Sequence, residues 1–235
     1  MKNNFKKSVY NFLSKFGVKA FYTLFPEYFA KEPLEPTDRY IEYPFVIRNL
    51  PKPPAKILDV GCVGSFFPLI LASFGYEVFG IDIRNYTIIN KIKFNNFRFI
   101  KEDIRKATLP DNYFDIVTAI STLEHIGIAG RYGTDEYLDG DLLTMKKITR
   151  LLKPAGMALI TVPFGKAKII KPYTRIYDDL RIKRITNNFQ INKEEYYWYD
   201  ESDNWFNCSK ETASLVEAKS DKYPLCLLKL IKLEK

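Results

Sequence analysis

Short apolar segments rich in β-branched residues alternate with helical patterns through the middle of this chain, and that alternation limits its fold more than any other feature. It predicts strands at residues 55–60, 76–82, 97–101, 113–120 and 157–163, helices at 66–74 and 141–152, and a poorly patterned helix near 85–92. Such alternation is typical of βα units, which build a parallel sheet covered by helices on both faces. The sequence therefore predicts an α/β protein with a doubly wound, mostly parallel sheet.

The last third of the chain breaks the alternation. Its pattern predicts a helix at residues 177–186, a strand at 189–199, a helix that Ser209 caps, and a final strand at 224–233. Late strands of this kind fit antiparallel pairing at the edge of the sheet. We expect seven strands, with one antiparallel strand at the edge, in a single domain at 51–235 that follows an N-terminal helical extension at 1–50.

The first 30 residues have the pattern of a basic amphipathic helix. Phe5, Val9, Phe12 and Phe16 recur at steps of three and four residues, and most of the lysines lie off that stripe. One interpretation is a helix that packs on the domain or covers its site. The other is an anchor that lies on the inner face of a membrane, since lysine and phenylalanine suit that interface. The pattern leaves both open.

The composition argues against several classes of protein. The 235 residues carry 36 Lys and Arg against 28 Asp and Glu, a formal net charge of +8, and 46% are hydrophobic, which is typical of a folded domain. No continuous apolar run reaches the roughly 20 residues that cross a bilayer. Three scattered cysteines indicate neither a disulfide framework nor a zinc site, and the first residues lack the apolar core of a secretory signal. We therefore expect a cytoplasmic protein.

A strand, a glycine turn and a helix follow one another directly at residues 56–74. Gly61 and Gly64 in the turn have no Cβ, so the main chain can bend sharply and a ligand can approach it closely. The first N–H groups of the helix suit a carboxylate or a phosphate. Asp82 ends the second strand about 20 residues later, where a carboxylate can accept hydrogen bonds from both hydroxyls of a ribose. This order predicts a site for a nucleoside cofactor.

Residues 57–65, Ile-Leu-Asp-Val-Gly-Cys-Val-Gly-Ser, and 80–82, Gly-Ile-Asp, resemble the motifs of class I S-adenosylmethionine-dependent methyltransferases. The resemblance implies S-adenosyl-L-methionine as cofactor, with Asp59 near its amino group and Asp103 near its adenine. Val63 and Ser65 stand where the family usually has glycine, so we expect Gly64 to be the flexible point of the turn. The implied cofactor-binding residues are Asp59, Gly61, Cys62, Gly64, Ser65, Asp82, Ile83, Asp103, Ile104 and Ser121.

The segment after the fourth strand lies beside the cofactor in this family, and here it carries Glu124 and His125, the only histidine of the chain. An imidazole that titrates near neutrality is a candidate base for an acceptor hydroxyl. We predict His125 as that base and Glu124 as the residue that orients it. A histidine here can also serve only as a hydrogen-bond partner of cofactor or backbone, and the sequence leaves that alternative open.

Four residues are predicted to contact the acceptor: Arg131, Tyr132, Arg175 and Tyr177. Arginine can clamp an acidic group, and tyrosine can stack on a ring or donate a hydrogen bond. The carboxylates of the loop at 127–141 could hold a divalent cation, but their spacing matches no known ligand set, so we predict no metal. Residues 124–133, 163–165 and 175–177 also resemble a little-characterised branch of the family associated with surface-glycan assembly, which implies a sugar or another small-molecule hydroxyl as acceptor.

Two other functions stay open. The positive charge and the aromatic tail would suit an RNA or DNA methyltransferase, whose binding would depend steeply on salt. The lysines are spread along the whole chain, however, and the Asn/Asp-Pro-Pro-Tyr/Phe motif of base amino methylation is missing, so we do not expect a nucleic-acid partner. The other alternative is a cofactor-binding scaffold without catalysis. The sequence does not indicate an oligomeric state.

Overall fold

The computed structural model describes residues 37–130, 132, 136–200, 204–219 and 222–234, with scattered positions between Phe5 and Leu24. The chain divides into two compact units, Met1–Thr37 and Asp38–Lys235. The described positions between Phe5 and Leu24 are helical. The first helix of the larger unit begins at Arg39, after this division, and the predicted boundary between extension and domain at residue 50 stays a prediction. The lid and anchor interpretations of the first 30 residues stay predictions.

The larger unit contains α1 (Arg39–Asn49), β1 (Lys56–Val60), α2 (Phe67–Ser73), β2 (Glu77–Asp82), β3 (Phe97–Lys101), β4 (Phe114–Ile120), α3 (Gly140–Leu151), β5 (Leu152–Pro163), β6 (Lys168–Ile170), β7 (Thr174–Ile176), α4 (Asp179–Ile185), β8 (Phe189–Tyr199), β9 (Trp205–Cys208), α5 (Lys210–Ser214) and β10 (Leu225–Lys232). Short 3₁₀ helices lie at Thr87–Asn90 and Leu123–His125. The first replaces the longer helix predicted near 85–92, since its β-branched residues favour an α-helix only weakly.

Eight strands form one sheet in the order β3-β2-β1-β4-β5-β10-β8-β9. The first five pair in parallel, whereas β10 pairs antiparallel with β5 and β8, and β9 pairs antiparallel with β8. The predicted α/β class with a mostly parallel sheet is confirmed. The predicted number of seven strands is wrong, because Trp205–Cys208 adds a further edge strand. β6 and β7 form a separate antiparallel pair.

The central strands are apolar on both faces, which is why they read as continuous hydrophobic runs. Leu58 of β1 packs with Val117 of β4 on one face of the sheet. Ile57 and Ile116, which directly precede them in sequence, pack on the opposite face. Helices therefore cover both faces, and the carboxyl ends of β1 to β4 are left to meet at one edge. Among the described residues, no helix combines the length and the apolar character needed to span a bilayer.

Candidate active site

A cavity of about 260 Å³ lies at the carboxyl ends of β1 to β4. Every residue predicted to bind the cofactor lines it, and so do His125 and Tyr132. Glu124, Arg175 and Tyr177 are not among its lining residues, and Arg131 lies outside the described residues. The parallel strands bring these distant segments together because their carboxyl ends share one edge of the sheet.

The turn after β1 depends on its two glycines in different ways. Gly61 has a φ of +78°, and a Cβ there would lie 2.3 Å from the Thr122 hydroxyl oxygen, so the close approach of the two turns requires glycine. Gly64 has a φ of +93°, but a Cβ there would meet only the Arg84 guanidinium at 3.8 Å. The main chain at Gly64 is therefore open to the cavity, in a backbone conformation that favours glycine.

Ser65 ties the turn to two helices. Its hydroxyl oxygen accepts a hydrogen bond from the main-chain N of Phe67, at the start of α2, at 2.9 Å. The same oxygen lies 2.7 Å from the hydroxyl of Tyr43 on α1. The side chain that replaces the family's third glycine thus stabilises the turn by joining α1 to the start of α2.

Asp59 is buried near the end of β1 and accepts a hydrogen bond from the Thr118 hydroxyl at 2.7 Å. Burial raises the pKa of its carboxyl to about 7, although the Thr118 hydrogen bond and the positive charge of Arg39 act in the opposite direction. At neutral pH the side chain is therefore divided between its neutral and charged forms. A cation that enters the cavity will favour the charged form.

Asp82 and Asp103 lie at the ends of β2 and β3, and each is bound by the arginine two residues later. The Asp82 carboxylate accepts from Arg84 N at 2.9 Å, Nε at 3.0 Å and Nη2 at 2.8 Å, and from the main-chain N of Val63 at 2.9 Å. Asp103 accepts from the same three atoms of Arg105, at 2.9, 3.0 and 2.6 Å. Burial opposes ionisation of Asp103, but these hydrogen bonds outweigh it and lower its pKa.

His125 has one ring nitrogen held by the main chain. Its Nδ1 lies 2.7 Å from the carbonyl oxygen of Tyr173, and since a carbonyl only accepts, Nδ1 carries the proton and Nε2 of the neutral ring is an acceptor. Nε2 lies 3.6 Å from Oε1 of Glu124. Burial raises the pKa of Glu124 to about 8, and its Oε2 accepts no hydrogen bond among the described residues. Glu124 is therefore mostly protonated at neutral pH, beside the ring but outside the cavity lining.

Arg175 and Tyr177 require a correction, since the structure does not bring them to the cavity. Arg175 Nη1 lies 3.4 Å from the buried Asp141 carboxylate, and its Nη2 donates to the main-chain oxygen of Leu138 at 2.9 Å. Tyr177 is fully buried. The Arg175 side chain supports the loop between β4 and α3, and neither Arg175 nor Tyr177 lines the cavity. Tyr132 of the same loop lines the cavity, and its contact with an acceptor stays a prediction.

The cavity also contains residues that the sequence did not predict, and two of them belong to α1. Glu42 of this helix is fully buried and accepts hydrogen bonds from Arg39, from the Ser121 hydroxyl at 2.6 Å and from the Thr161 hydroxyl. Burial raises the pKa of Glu42, although Arg39 opposes the shift. This network attaches α1 to the ends of β4 and β5, and so places Arg39 and Tyr43 in the cavity wall.

Two further lining residues that were not predicted, Arg84 and Arg105, had a visible sequence signal. The tripeptide Asp-Ile-Arg occurs twice, at 82–84 and at 103–105, each time at the end of a strand. An aspartate and an arginine two positions apart can form a local ion pair around a turn. The repetition of this pair on neighbouring strands indicates that both arginines face the same site.

The lining suits a nucleoside that carries a positive charge. The carboxyl groups of Asp59, Asp82 and Asp103 lie at the ends of three neighbouring strands. The main chain is open to the cavity at Gly64, and Ile104 adds an apolar side chain to the lining. Carboxylates accept hydrogen bonds from ribose hydroxyls and an adenine amino group and attract a cationic sulfur. In the part of the chain that the structure describes, no three His, Cys, Asp or Glu side chains are grouped to hold a metal ion.

Comparison with known proteins agrees with this geometry. Residues 58–160 match the family model described as a methyltransferase domain. The ubiquinone biosynthesis O-methyltransferase of Rickettsia akari is 27% identical over 114 residues, which cover 45% of this chain and 39% of that protein. The sterol 24-C-methyltransferase of Gibberella zeae is 32% identical over 111 residues, which cover 43% of this chain and 26% of that protein. The chain thus matches well under half the length of these curated relatives.

A solved structure extends the likeness to most of the fold. The S-adenosylmethionine-dependent methyltransferase of Methanosarcina mazei superposes with a TM-score of 0.59 over 82% of this chain and 99% of that chain, at 16% identity. At that identity the likeness supports the fold alone. Residues 58–160 are therefore similar to a methyltransferase domain, and the fold is shared with the solved S-adenosylmethionine-dependent methyltransferase.

Proposed function

We propose that this protein transfers a methyl group from S-adenosyl-L-methionine to a hydroxyl oxygen of a small-molecule or glycan acceptor, with His125 as general base. One observation carries the proposal: the imidazole of His125 lines the same cavity as Asp59, Asp82 and Asp103. A base and a nucleoside site are thus combined in one space, as an O-methyl transfer requires.

The cofactor-binding part of the proposal assigns one role to each strand end. When bound, the cofactor supplies an electrophilic methyl group on a positively charged sulfur. Asp59 and Arg39 would hold its amino-acid end, because the two side chains offer a carboxyl for the amino group and a guanidinium for the carboxylate. Asp82 would accept from the ribose hydroxyls, and Asp103 from the adenine amino group.

The base part of the proposal follows from the tautomer of His125. Since Nδ1 donates to the Tyr173 carbonyl, Nε2 is the atom that can take a proton from an acceptor hydroxyl. Oε1 of Glu124 lies 3.6 Å from Nε2, beyond hydrogen-bond distance, so the protonated carboxyl does not occupy the Nε2 lone pair. An imidazolium at His125 would lower the pKa of Glu124 and favour a carboxylate that stabilises the ring. A base placed in this way contributes about 10²- to 10⁴-fold to the rate.

The acceptor atom is assigned from the proposed base and not from the relatives. The names of the two curated relatives include one transfer to oxygen and one to carbon, so they do not select the acceptor atom. Oxygen is proposed because a hydroxyl needs a base and His125 supplies one. The sugar class rests on the resemblance of residues 124–133, 163–165 and 175–177 to the glycan-associated branch.

Methyl transfer into a fractionated extract of the source organism tests the proposal. The full-length protein would be incubated with cofactor labelled in the methyl group, and label would be followed in small-molecule, glycan, RNA and protein fractions. We expect label in the small-molecule or glycan fraction that survives mild alkali, because methyl ethers resist it and methyl esters do not. Label that is released by ribonuclease or by mild alkali, or no label in any fraction, would contradict the proposed O-methylation.

A further inference from the structure

The carboxylate of Asp82 has no acceptor position to spare. A carboxylate offers about four lone-pair positions. In Asp82 all four are used, two by the side chain of Arg84, one by the main-chain N of Arg84 and one by the main-chain N of Val63. The two main-chain donors, Val63 N after β1 and Arg84 N after β2, are fixed by the backbone. The hydroxyls of a ribose can therefore bind Asp82 only if the Arg84 guanidinium moves away.

The surroundings of Arg84 show where the guanidinium is already directed. Its central carbon lies 4.7 Å from the centre of the Tyr132 ring, and that ring lies 5.7 Å from the ring of His125 in an edge-on arrangement. All three residues line the cavity. If the Arg84 guanidinium leaves Asp82 but keeps its contact with Tyr132, only the Tyr132 ring separates it from His125, the proposed base. It then lies on the side of the cavity where an acceptor would bind.

Charge then decides what the released guanidinium binds. Arg84 without its carboxylate keeps a hydrogen bond to the main-chain oxygen of Val63 but has no counter-charge, in a partly buried site next to a cofactor that itself carries a positive sulfur. A planar guanidinium pairs most favourably with an oxyanion that accepts two parallel hydrogen bonds. Asp103 is already bound by Arg105, and Asp59 is buried at the end of another strand, so neither replaces Asp82 as a partner.

We propose that Arg84 exchanges Asp82 for an oxyanion of the acceptor when the cofactor ribose takes Asp82, so that the acceptor is an anionic molecule bound between Arg84, Tyr132 and His125. The inference rests on the proposed function, and it narrows the acceptor to hydroxyl compounds that also carry a phosphate or a carboxylate. It requires that cofactor and oxyanion each increase the affinity of the other, since both benefit from the same movement of Arg84.

Titration calorimetry with S-adenosylhomocysteine tests this coupling without the unknown acceptor. The Kd of the full-length protein would be measured at constant ionic strength in chloride, in inorganic phosphate and in acetate. We expect phosphate or acetate to lower the Kd about fivefold or more relative to chloride, the usual lower range of coupling between two sites. The more effective of the two anions assigns the acceptor group as phosphate or carboxylate.

Two variants locate the effect. In Arg84→Gln the anion effect should disappear, and the Kd in chloride should equal or fall below that of the unmodified protein, because no guanidinium competes for Asp82. Arg105→Gln is the matched control, since it alters the same tripeptide on the neighbouring strand and should keep the anion effect. The inference would be overturned if the Kd of the unmodified protein were the same in all three buffers. That result is expected if the released Arg84 pairs with Glu102 of the cavity wall instead of an oxyanion. An anion effect that persists in Arg84→Gln would overturn it as well.

The same titration separates failure of the inference from failure of the proposed function. If S-adenosylhomocysteine binds but the anions have no effect, the cofactor site stands and the exchange at Arg84 is wrong. If it binds in none of the buffers, both are wrong.

Discussion

Nδ1 of His125 lies 2.7 Å from the carbonyl oxygen of Tyr173, the residue that directly precedes β7. The contact joins the turn after β4 to the segment after β5 and selects one tautomer of the ring. Nε2 is thereby left as the acceptor, which is the form that a general base needs. Several measurable consequences depend on this contact and on the carboxylates around it.

Substitution of His125 should remove the base and leave the cofactor site intact. In His125→Asn the side-chain amide can still donate to the Tyr173 carbonyl, but it offers no basic nitrogen. We expect methyl transfer to fall about 10²- to 10⁴-fold, while the Kd for S-adenosylhomocysteine changes by less than about threefold. Label incorporation and calorimetry measure the two quantities. Transfer within threefold of the unmodified protein would show that His125 is only a hydrogen-bond partner.

The stability of the protein should fall as pH rises from about 5 to about 8.5. The folded-state pKa values of Asp59 and Glu124 are about 7 and about 8, above the ordinary values of 3.8 and 4.5. The folded protein therefore binds more protons than the unfolded chain in this range. The resulting stabilisation is complete below the ordinary pKa values and is lost as pH rises through the folded-state values, with a slope of up to about 1.4 kcal/mol per pH unit for each group.

The variant Glu124→Gln measures how much the carboxyl of Glu124 contributes to the pH dependence of the free energy of unfolding. The free energy of unfolding, measured by urea denaturation at fixed ionic strength, should depend less on pH in the variant than in the unmodified protein. Glu217→Gln is the control, because Glu217 is exposed and its pairing with Lys168 lowers its pKa, so that it does not titrate in this range. Equal slopes for the unmodified protein and Glu124→Gln would show that the pKa of Glu124 is not raised.

Alanine at the two turn glycines should have unequal effects. Gly61→Ala combines a positive φ with a Cβ 2.3 Å from the Thr122 hydroxyl, and we expect it to reduce the free energy of unfolding by about 2–5 kcal/mol. Gly64→Ala has only the unfavourable φ, since its Cβ would make just an ordinary van der Waals contact with Arg84 at 3.8 Å, and should lose about 1–2 kcal/mol. Thr122→Ala should recover part of the loss in Gly61→Ala. Equal losses in the two glycine variants would contradict the contact with Thr122.

Arg175 should affect stability rather than binding of an acceptor. Arg175→Met leaves the Asp141 carboxylate buried with Arg181 as its remaining partner, and we expect a loss of about 3 kcal/mol in the free energy of unfolding. Arg184→Met, which removes an exposed ion pair with Asp139, should change stability by less than about 0.5 kcal/mol. Full stability of Arg175→Met together with a loss of methyl transfer would contradict this and would support the sequence-based prediction that Arg175 contacts the acceptor.

Local sequence pattern was sufficient for the fold because the central strands are buried on both faces. Leu58 and Val117 belong to apolar runs bounded by turn residues, and such runs can be read without knowing their partners. The same is not true of β6, β7 and β9, which have three or four residues and form only where a partner strand lies alongside. The number of strands was therefore underestimated.

The candidate site divides in the same way. The residues of strand ends and turns were predicted because their positions follow from the parallel sheet, and Asp82 is an example. The position of Arg175 depends on Asp141, a buried partner far away in sequence, so no local pattern could show that its side chain points into the core. Arg84 is different, because its contact with Asp82 is local and the repeated Asp-Ile-Arg would have indicated it.

The central claim is that the carboxyl edge of β1 to β3 binds S-adenosyl-L-methionine, and calorimetric titration with S-adenosylhomocysteine tests it most directly. Asp115→Asn is a suitable control, since Asp115 is a carboxylate near the start of β4 that bonds Lys56 and Lys153 and does not line the cavity. We predict saturable binding by the unmodified protein and by Asp115→Asn, and a Kd about 10- to 100-fold higher for Asp82→Asn, the loss expected for hydrogen bonds to a charged group. No binding by the unmodified protein, or equal affinities of Asp82→Asn and Asp115→Asn, would contradict the claim.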